Sequence, residues 1–283
     1  MKKLVFVADY FSNQVKGGAE FTTDSLIGFS KTHEIIKINS QSVSPEIIDK
    51  YRDHHWVVGN FSLLNDKVKV RFCKNLSYSI IEYDYKFCKF RSTKKHKAIE
   101  NKECDCPQTL EGKINSAFYG YAQKIWFMSE KQIEVFLSFV KTIKLDKTEV
   151  LSSIFSSGDL RFIQSIKDNE KDESFLILGS NSWIKGTEKC IAFAKENNLS
   201  HEVISGMPYH ELLIKMSISR GLIFRPLGLD TCPRIVIEAK LLGCELSLND
   251  NVQHKDEAWF SRTAEDCLSY LESRPKVFWN YYE

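Results

Sequence analysis

Short apolar runs alternate with helix-like segments along most of this sequence, and they do so in two successive series. The first series contains the β-rich runs LVFVAD (4–9), HEIIKIN (33–39), WVVGN (56–60) and SYSIIEYDY (77–85). The second series contains SFLILGS (174–180), HEVIS (201–205), RGLIFRP (220–226) and CELSLN (244–249). The segments between these runs carry apolar residues at helical spacing. This alternation predicts parallel sheets with crossover helices, which is the α/β fold class.

A charged stretch, SIKDNEKDE at 165–173, separates the two series. We therefore expect an N-terminal Rossmann-like domain over 1–165 and a C-terminal one over 166–270. The two domains are expected to face each other across a cleft at the carboxyl ends of their strands. A tail over 271–283 ends in FWNYYE, whose aromatic residues are expected to anchor it on the first domain. A homodimer contact is the competing interpretation of that aromatic tail.

The composition argues against some classes of partner. Lys and Arg number 39 and Asp and Glu 37, so the net charge of +2 predicts no strong field for nucleic acid or membrane. No apolar run reaches the roughly 18 residues that a membrane span needs. The start, MKKLVFVADYF, is interrupted by Asp9 and has no cleavage site after it, so we interpret it as a strand and not a signal peptide. These features predict a cytoplasmic protein.

Eight cysteines are scattered along the chain, and without a signal peptide they are expected to be mostly free thiols. Cys104 and Cys106, with Cys88 and His96 upstream, could bind zinc, but their spacing is not that of a standard zinc finger. Free loop thiols are the favoured interpretation, and no metal site is predicted. The surrounding segment, 86–113, is polar and lacks periodicity, so we expect it to be solvated and partly mobile, with His96 exposed.

Two glycine-containing loops each follow the first strand of a series. KGGAE, at 16–20, places Gly17 and Gly18 at a helix start, where backbone N–H groups can approach an anion. GSNSWIKG, at 179–186, places Lys185 at the corresponding point of the second series, where a lysine suits a phosphate. KGGAE matches neither G-x-G-x-x-G nor a Walker P-loop, which disfavours an ordinary NAD site or an NTPase. A plain turn at a helix start, with a surface lysine, is the alternative.

The stretch RPLGLDTCPRIVIEAKLLGC, at 225–244, contains two carboxylates eight residues apart, Asp230 and Glu238. Thr231 or Asp230 is expected to cap the helix that starts near Pro233. Glu238 lies among apolar residues, where a carboxylate is costly unless it is paired or binds a ligand. Hydroxyl groups of a sugar or ribose are suitable donors for it.

These features resemble the GT-B-type glycosyltransferases, especially the retaining, family-four-like group. That family has a carboxylate-x7-carboxylate motif, which Asp230 to Glu238-Ala239 matches with Asp in place of the usual Glu. Its Lys-Gly pair is matched by Lys185-Gly186. The resemblance is specific over about 176–250. The chain is short for the family, so the N-terminal domain is expected to be shortened.

The family's Gly-Gly loop is matched by Gly17 and Gly18, but its arginine in the second loop is not matched, since Ser180 or Asn181 stands there. Diphosphate binding would then depend on Lys185 and on arginines elsewhere. The resemblance thus implies a donor-binding set of Gly17, Gly18, Ser180, Lys185, Arg225, Thr231, Arg234 and Glu238.

The resemblance implies a nucleotide-diphosphate sugar as donor and no cofactor or bound metal. By that resemblance Glu238 would hydrogen-bond the ribose and Asp230 would meet sugar hydroxyls near the reacting carbon. Lys185 and the backbone around Gly17 and Gly18 would stabilise the leaving diphosphate, an electrostatic contribution that is often the largest in catalysis.

Glu82 and Asp84 follow the end of a predicted strand, where a residue of the site is expected. An acidic pair there could orient an acceptor hydroxyl, of a glycan or another molecule, or act as its base. A strand end that turns into a charged loop is the alternative interpretation.

Two other functions stay open. The basic stretch between Lys86 and Lys97 could contact nucleic acid, which would make the protein a base-modifying sugar transferase. The altered arginine position and the short chain would instead fit a non-catalytic module that binds a nucleotide sugar or a glycan.

Overall fold

The computed structural model describes residues 2–283, which form two compact units. The first unit contains residues up to Ile154 together with Arg274–Glu283, and the second contains Phe155–Ser273. The charged segment at 165–173 therefore lies inside the second unit. Within residues 2–283, none of the helices combines the length and apolar character needed to cross a bilayer.

The first unit is built on a parallel sheet of six strands among the described residues. The strands are β1 (Lys2–Ala8), β2 (His33–Asn39), β3 (His55–Val58), β4 (Ser77–Glu82), β5 (Lys124–Phe127) and β6 (Thr148–Val150). The helices between them are α1 (Gly18–Gly28), α2 (Pro45–Lys50), α3 (Asp66–Asn75), α4 (Thr93–Glu100), α5 (Leu110–Tyr121) and α6 (Glu130–Phe139). The order is β2-β1-β3-β4-β5-β6, and every pair is parallel.

The second unit has a smaller parallel sheet, of order β10-β9-β7-β8. Its strands are β7 (Phe175–Leu178), β8 (His201–Ile204), β9 (Gly221–Phe224) and β10 (Glu245–Leu248). Its helices are α7 (Ser157–Ile166), α8 (Thr187–Glu196), α9 (Tyr209–Ile218), α10 (Arg234–Leu241) and α11 (Ala258–Ser261). The last helix, α12 (Ala264–Asn280), contributes residues to both units. The sheet of the second unit has fewer strands than that of the first.

Both sheets share a strand order that locates a binding crevice. The first strand of each unit lies between the second and third strands, so the winding reverses between β1 and β3 and between β7 and β9. The loops that leave such a pair at their carboxyl ends diverge, and ligands of open α/β sheets bind there. In this chain those loops are 9–17 and 59–65 in the first unit, and 179–186 and 225–233 in the second. The α/β prediction is thus confirmed.

The segment 86–113 is folded, which corrects the prediction of a solvated and partly mobile excursion. It forms α4 and the start of α5, and Cys88, Cys104 and Cys106 are buried. His96, predicted to be exposed, is 1% exposed and lies edge-on to the ring of Phe90. The expectation was wrong because polar residues in this segment satisfy one another, which no apolar period can reveal.

The aromatic tail is part of the core of the first unit. Trp279 Nε1 donates to the carbonyl oxygen of Leu26 at 3.0 Å, and its ring stacks on His33 at 5.5 Å. Trp279 also lies 6.2 Å from the ring of Phe6 on β1. The last residues of the chain therefore cover strands formed by its first residues.

We expect Trp279→Ala to destabilise the first unit by about 3–5 kcal/mol, because it removes a large buried side chain and one of the two N–H donors to the Leu26 carbonyl. Tyr281→Ala is the matched control, since that ring is 42% exposed. Urea denaturation followed by tryptophan and tyrosine fluorescence measures both. Equal losses in the two variants would contradict the assignment of Trp279 to the core.

Candidate functional site

Lys185 and Asp230 come together at the switch point of the second sheet. Lys185 lies in the loop after β7, and Asp230 lies in the loop after β9. Lys185 Nζ donates to Asp230 Oδ2 at 2.6 Å, and their side chains are 31% and 11% exposed. Asp230 is held by its backbone N–H, which donates to the Asn251 carbonyl at 2.8 Å. The Lys185 side chain is therefore partly exposed at the point where the topology predicts a ligand.

The chain reaches Lys185 through a turn that depends on glycine. Gly186 has φ of 64°, in the left-handed region, and a Cβ there would lie 3.1 Å from the backbone nitrogen of Leu227. The turn leads directly into α8, which starts at Thr187. Gly186 thus allows the loop after β7 to pack against the loop after β9.

A pocket of about 830 Å³ opens beside this turn. Its lining includes Gly179, Ser180, Trp183 and Thr187 from the loop after β7, and Leu227 from the loop after β9. Its volume falls within the usual range of about 300–1,000 Å³ for small-molecule sites. The sequence singled out Ser180 but not Trp183 or Thr187, since neither residue type is unusual in such a loop.

Glu238 is 2% exposed and lies in a buried polar network, not on an open surface. Tyr209, from α9, donates its hydroxyl to Glu238 Oε1 at 2.9 Å. Arg234 Nε lies 3.6 Å from the same oxygen, and Arg234 Nη2 donates to the Tyr209 hydroxyl at 3.3 Å. Burial raises the pKa of Glu238, while Arg234 and the hydrogen bond from Tyr209 lower it. Glu238 was expected either to be paired or to bind a ligand, and in this structure it is paired within the protein.

The two arginines of the predicted donor-binding set also make contacts within the second unit. Arg225 Nη1 donates to the Leu248 carbonyl at 3.0 Å, and its guanidinium lies 4.2 Å from the centre of the Phe193 ring. Arg234 lies 3.9 Å from the centre of the Phe155 ring. Both side chains therefore support the surrounding loops in this structure.

The predicted cap of the helix at Pro233 is not made. Pro233 itself is the N-cap of α10, and no side chain caps the helix. Thr231 is buried. The carboxylate of Asp230 accepts from Lys185 instead, because that pairing neutralises a charge, whereas a cap would satisfy one N–H group.

In the first unit, Glu82 ends β4 and is fully buried. Glu82 Oε1 accepts from Lys86 Nζ at 2.9 Å, and Glu82 Oε2 accepts from the hydroxyl of Tyr119 on α5. Burial raises the pKa of Glu82 to about 7, although Lys86 opposes the shift. From its buried position at the carboxyl end of β4, Glu82 thus holds Lys86 and Tyr119 in place.

Asp84, the second predicted acidic residue, lies closer to the surface. Its Oδ1 accepts from Lys86 Nζ at 3.0 Å, and its Oδ2 accepts from Arg91 Nε at 2.6 Å. Burial opposes the ionisation of Asp84, but Lys86 and Arg91 outweigh it and lower its pKa. Arg91 Nη2 also donates to Asn60 Oδ1 at 3.1 Å. Arg91 therefore connects Asp84, which follows β4, with Asn60, which follows β3.

The carboxylate of Glu20 lies at the helix start formed by Gly17 and Gly18. Gly17 is the N-cap of α1, and Glu20 lies in the first turn. A Cβ on Gly17 would come within 2.3 Å of Glu20 Oε2, and Asn60 Nδ2 donates to Glu20 Oε1 at 3.4 Å. A carboxylate is stabilised at a helix N-terminus, so Glu20 competes there with an anionic ligand.

The basic stretch between Lys86 and Lys97 is largely neutralised. Lys86 pairs with Glu82 and Asp84, and Arg91 also pairs with Asp84. Lys89 pairs with Glu100, and Lys97 pairs with Glu103. Pairing with carboxylates removes much of the charge that phosphate groups would attract. This argues against nucleic acid as a partner at this segment.

Among the described residues, four side chains away from the switch points form a group that could hold a metal ion. Cys88, His96, Cys104 and Cys106, all in the first unit, have ligand atoms within 4.8 Å of one another.

Comparison with known proteins identifies the fold. The sequence matches no protein-family model, and it matches no curated protein. HepE of Anabaena, solved in complex with UDP and glucose, is 10% identical with a TM-score of 0.54, over 87% of this chain and 80% of that chain. The lipopolysaccharide outer core galactosyltransferase WaaB is 10% identical with a TM-score of 0.52, over 97% and 90%. A UDP-forming α,α-trehalose-phosphate synthase of Burkholderia xenovorans is 8% identical with a TM-score of 0.53, over 98% and 96%.

The chain has the GT-B glycosyltransferase fold. This confirms the resemblance that the motifs at Lys185-Gly186 and Asp230 to Glu238 indicate. Identities of 8–10% show the fold alone, so the GT-B site residues stay predictions.

We expect the free energy of unfolding to depend on pH because Glu82 is buried. Its pKa is raised from 4.5 to about 7, so the folded protein retains a proton that the unfolded chain releases. The stabilising contribution of Glu82 is therefore complete below about pH 4.5 and is lost as the pH rises to about 7. Glu82→Gln cannot titrate and lacks this dependence.

Urea denaturation of wild type and Glu82→Gln at several pH values between about 4.5 and 8 measures the difference. The stability advantage of wild type over the variant should shrink through this window and then become constant. A difference that stays constant throughout would mean that Glu82 ionises with an ordinary pKa in the folded protein.

Proposed function

We propose that this protein is a glycosyltransferase that transfers a sugar from a nucleotide-diphosphate donor to a hydroxyl acceptor, with retention of configuration and without a metal ion at the donor site. The GT-B fold supports transferase chemistry, and the family-four-like motif supports retention. The observation that carries the proposal is the position of Lys185 and Asp230, which meet at the switch point of the second sheet beside a pocket of about 830 Å³.

In this proposal the donor diphosphate binds at the loop after β7. Lys185 supplies a positive charge, and the start of α8 supplies backbone N–H groups. Ser180 contributes a hydroxyl from the pocket wall, and Trp183 offers an aromatic surface for the nucleobase. A lysine and a helix N-terminus can stabilise the charge that develops on a leaving diphosphate.

The ion pair between Lys185 and Asp230 gives each partner a role on binding. A diphosphate competes with Asp230 for the ammonium and draws the lysine towards itself. The carboxylate of Asp230 then becomes available to accept hydrogen bonds from sugar hydroxyls. Without a ligand, the ion pair restrains both side chains near the pocket, which lowers the entropy lost on binding.

Glu238 is proposed to accept from the ribose hydroxyls, as the motif implies, which requires Tyr209 to yield part of its hydrogen bond. Arg225, Thr231 and Arg234 then support the loops around the donor. At the first sheet, the proposal assigns Asp84 to the acceptor hydroxyl, since it is less buried than Glu82. Glu82 holds Lys86, which orients Asp84.

A non-catalytic module that binds nucleotide sugars is the second candidate. The observation that favours it is that Glu82, Asp84, Asp230 and Glu238 all have partners within the protein. Such a module would bind the donor at the same loop but would not turn it over.

We expect UDP, GDP, ADP or CDP, or one of their sugar conjugates, to raise the melting temperature by binding to the native state. Lys185→Ala should weaken that binding about 10- to 100-fold, since a hydrogen bond to a charged group contributes about 1.5–3 kcal/mol. Thermal shift and isothermal titration calorimetry measure the two effects. Lys195→Ala, at the other end of α8, is the matched control and should bind as wild type does.

Two results would contradict these assignments. If Lys185→Ala binds the nucleotide as tightly as Lys195→Ala does, the diphosphate does not contact Lys185. If none of these nucleotides or their conjugates binds to the wild type, both candidate functions fail.

Glu238→Gln should weaken donor binding or turnover by at least about tenfold if the carboxylate accepts from the ribose, while Tyr209→Phe should have a smaller effect because it removes only the internal donor. Measured kcat and KM for the two variants separate these roles. Similar losses in both would assign Glu238 to the support of α9 and α10.

Turnover separates the enzyme from the binding module. Donor hydrolysis and transfer to a panel of sugar acceptors are followed by release of the nucleotide, and the anomeric configuration of the product is determined by NMR. Tight binding with no turnover towards any acceptor would favour the module.

A further inference from the structure

Three cysteines and one histidine converge in the first unit, in the segment between β4 and α5. Cys88 follows a turn after β4, His96 lies on α4, and Cys104 and Cys106 lie in the loop before α5. All four side chains are buried, and their ligand atoms lie within 4.8 Å of one another.

Two sulfur-to-nitrogen separations in the cluster are close to those around a tetrahedral zinc ion. With Zn–S of about 2.3 Å and Zn–N of about 2.0–2.1 Å, a tetrahedral site separates sulfur from nitrogen by about 3.6 Å. His96 Nδ1 lies 3.4 Å from Cys106 Sγ and 3.8 Å from Cys88 Sγ. Three thiolates and an imidazole are also a common ligand set for structural zinc.

The second nitrogen of His96 is consistent with a metal on the first. Coordination through Nδ1 leaves a hydrogen on Nε2, and metal-bound histidines usually donate that hydrogen to a carboxylate or carbonyl. His96 Nε2 is buried without a hydrogen-bond partner, and Asp105 Oδ1 is the carboxylate oxygen near it, at 3.7 Å. A small movement of the exposed Asp105 side chain would complete that contact.

Helix α4 has little apolar attachment to the rest of the first unit. It has eight residues, and an isolated helix of that length is not stable in water. The buried residue of α4 is His96, whereas Ile99 is 55% exposed. Apolar packing therefore contributes little to holding α4, and a bond through His96 would hold it directly.

We infer that Cys88, His96, Cys104 and Cys106 bind a structural zinc ion that fixes α4 and its flanking loops to the first unit. The four protein ligands complete a tetrahedron and leave no open position for catalysis. The site also anchors Arg91, whose backbone N–H donates to the Cys88 carbonyl at 2.8 Å. This inference does not depend on the proposed transferase activity.

The full-length protein, purified under reducing conditions, should contain one zinc ion per chain by inductively coupled plasma mass spectrometry. Cobalt substituted for zinc should give the visible absorption bands of a tetrahedral thiolate site. Removal of the metal with a strong chelator should lower the melting temperature and open the lysine-rich segment 88–106 to trypsin.

Variants test the ligand set. Cys106→Ser and His96→Ala should lose the metal, whereas His96→Cys should retain it because zinc accepts four cysteines. Asp105→Ala should lower zinc affinity about 10- to 100-fold, as removal of an outer-shell carboxylate does. Cys73→Ser is the control, since Cys73 lies on α3 outside the cluster and should keep full zinc content.

Several results would overturn the assignment. They are wild-type protein that stays metal-free after exposure to zinc, a disulfide within the cluster in the reduced preparation, iron in place of zinc, or equal loss of zinc in Cys73→Ser and Cys106→Ser. If a ligand variant fails to fold, the metal content and cobalt spectrum of the wild type still decide the question.

Discussion

Parallel strand pairing is the constraint on which the rest of this structure depends. Because every strand in both sheets runs in the same direction, all the loops that follow strands emerge at one edge of each sheet. The central strands β1, β3, β4, β5, β7 and β9 are largely buried, so many of the polar side chains lie in those loops and at the helix ends beside them. Lys185 and Asp230, in one unit, and Asn60, Glu82 and Asp84, in the other, lie at such edges for this reason.

A second constraint is the cost of burying charge. Glu82 and Glu238 are both removed from water, and each has a tyrosine hydroxyl and a basic side chain beside it. Breaking such a buried pair by removing one partner is costly, because the other charge is left without compensation. The two networks therefore also fix the helices that supply the tyrosines, α5 and α9. The same carboxylates thus determine local structure before any ligand is considered.

The sequence was sufficient for the fold because the alternation of strands and helices is visible locally. It also located the loops of Lys185 and Asp230, since glycine and proline mark where strands end. It could not supply Tyr209 as the partner of Glu238, because that contact joins residues on different helices. It also missed the burial of His96, because the four side chains of the cysteine and histidine cluster are brought together by folding and follow no standard spacing.

The division of the chain between the two units has a consequence for biosynthesis. The second unit is one continuous stretch, Phe155–Ser273, whereas the first combines the beginning of the chain with Arg274–Glu283. During translation the first unit must wait for Trp279 and Phe278 before its sheet is fully covered, although its strands leave the ribosome earliest. The second unit needs no segment from elsewhere in the chain, so its core can be completed before the first unit has received its last helix turn.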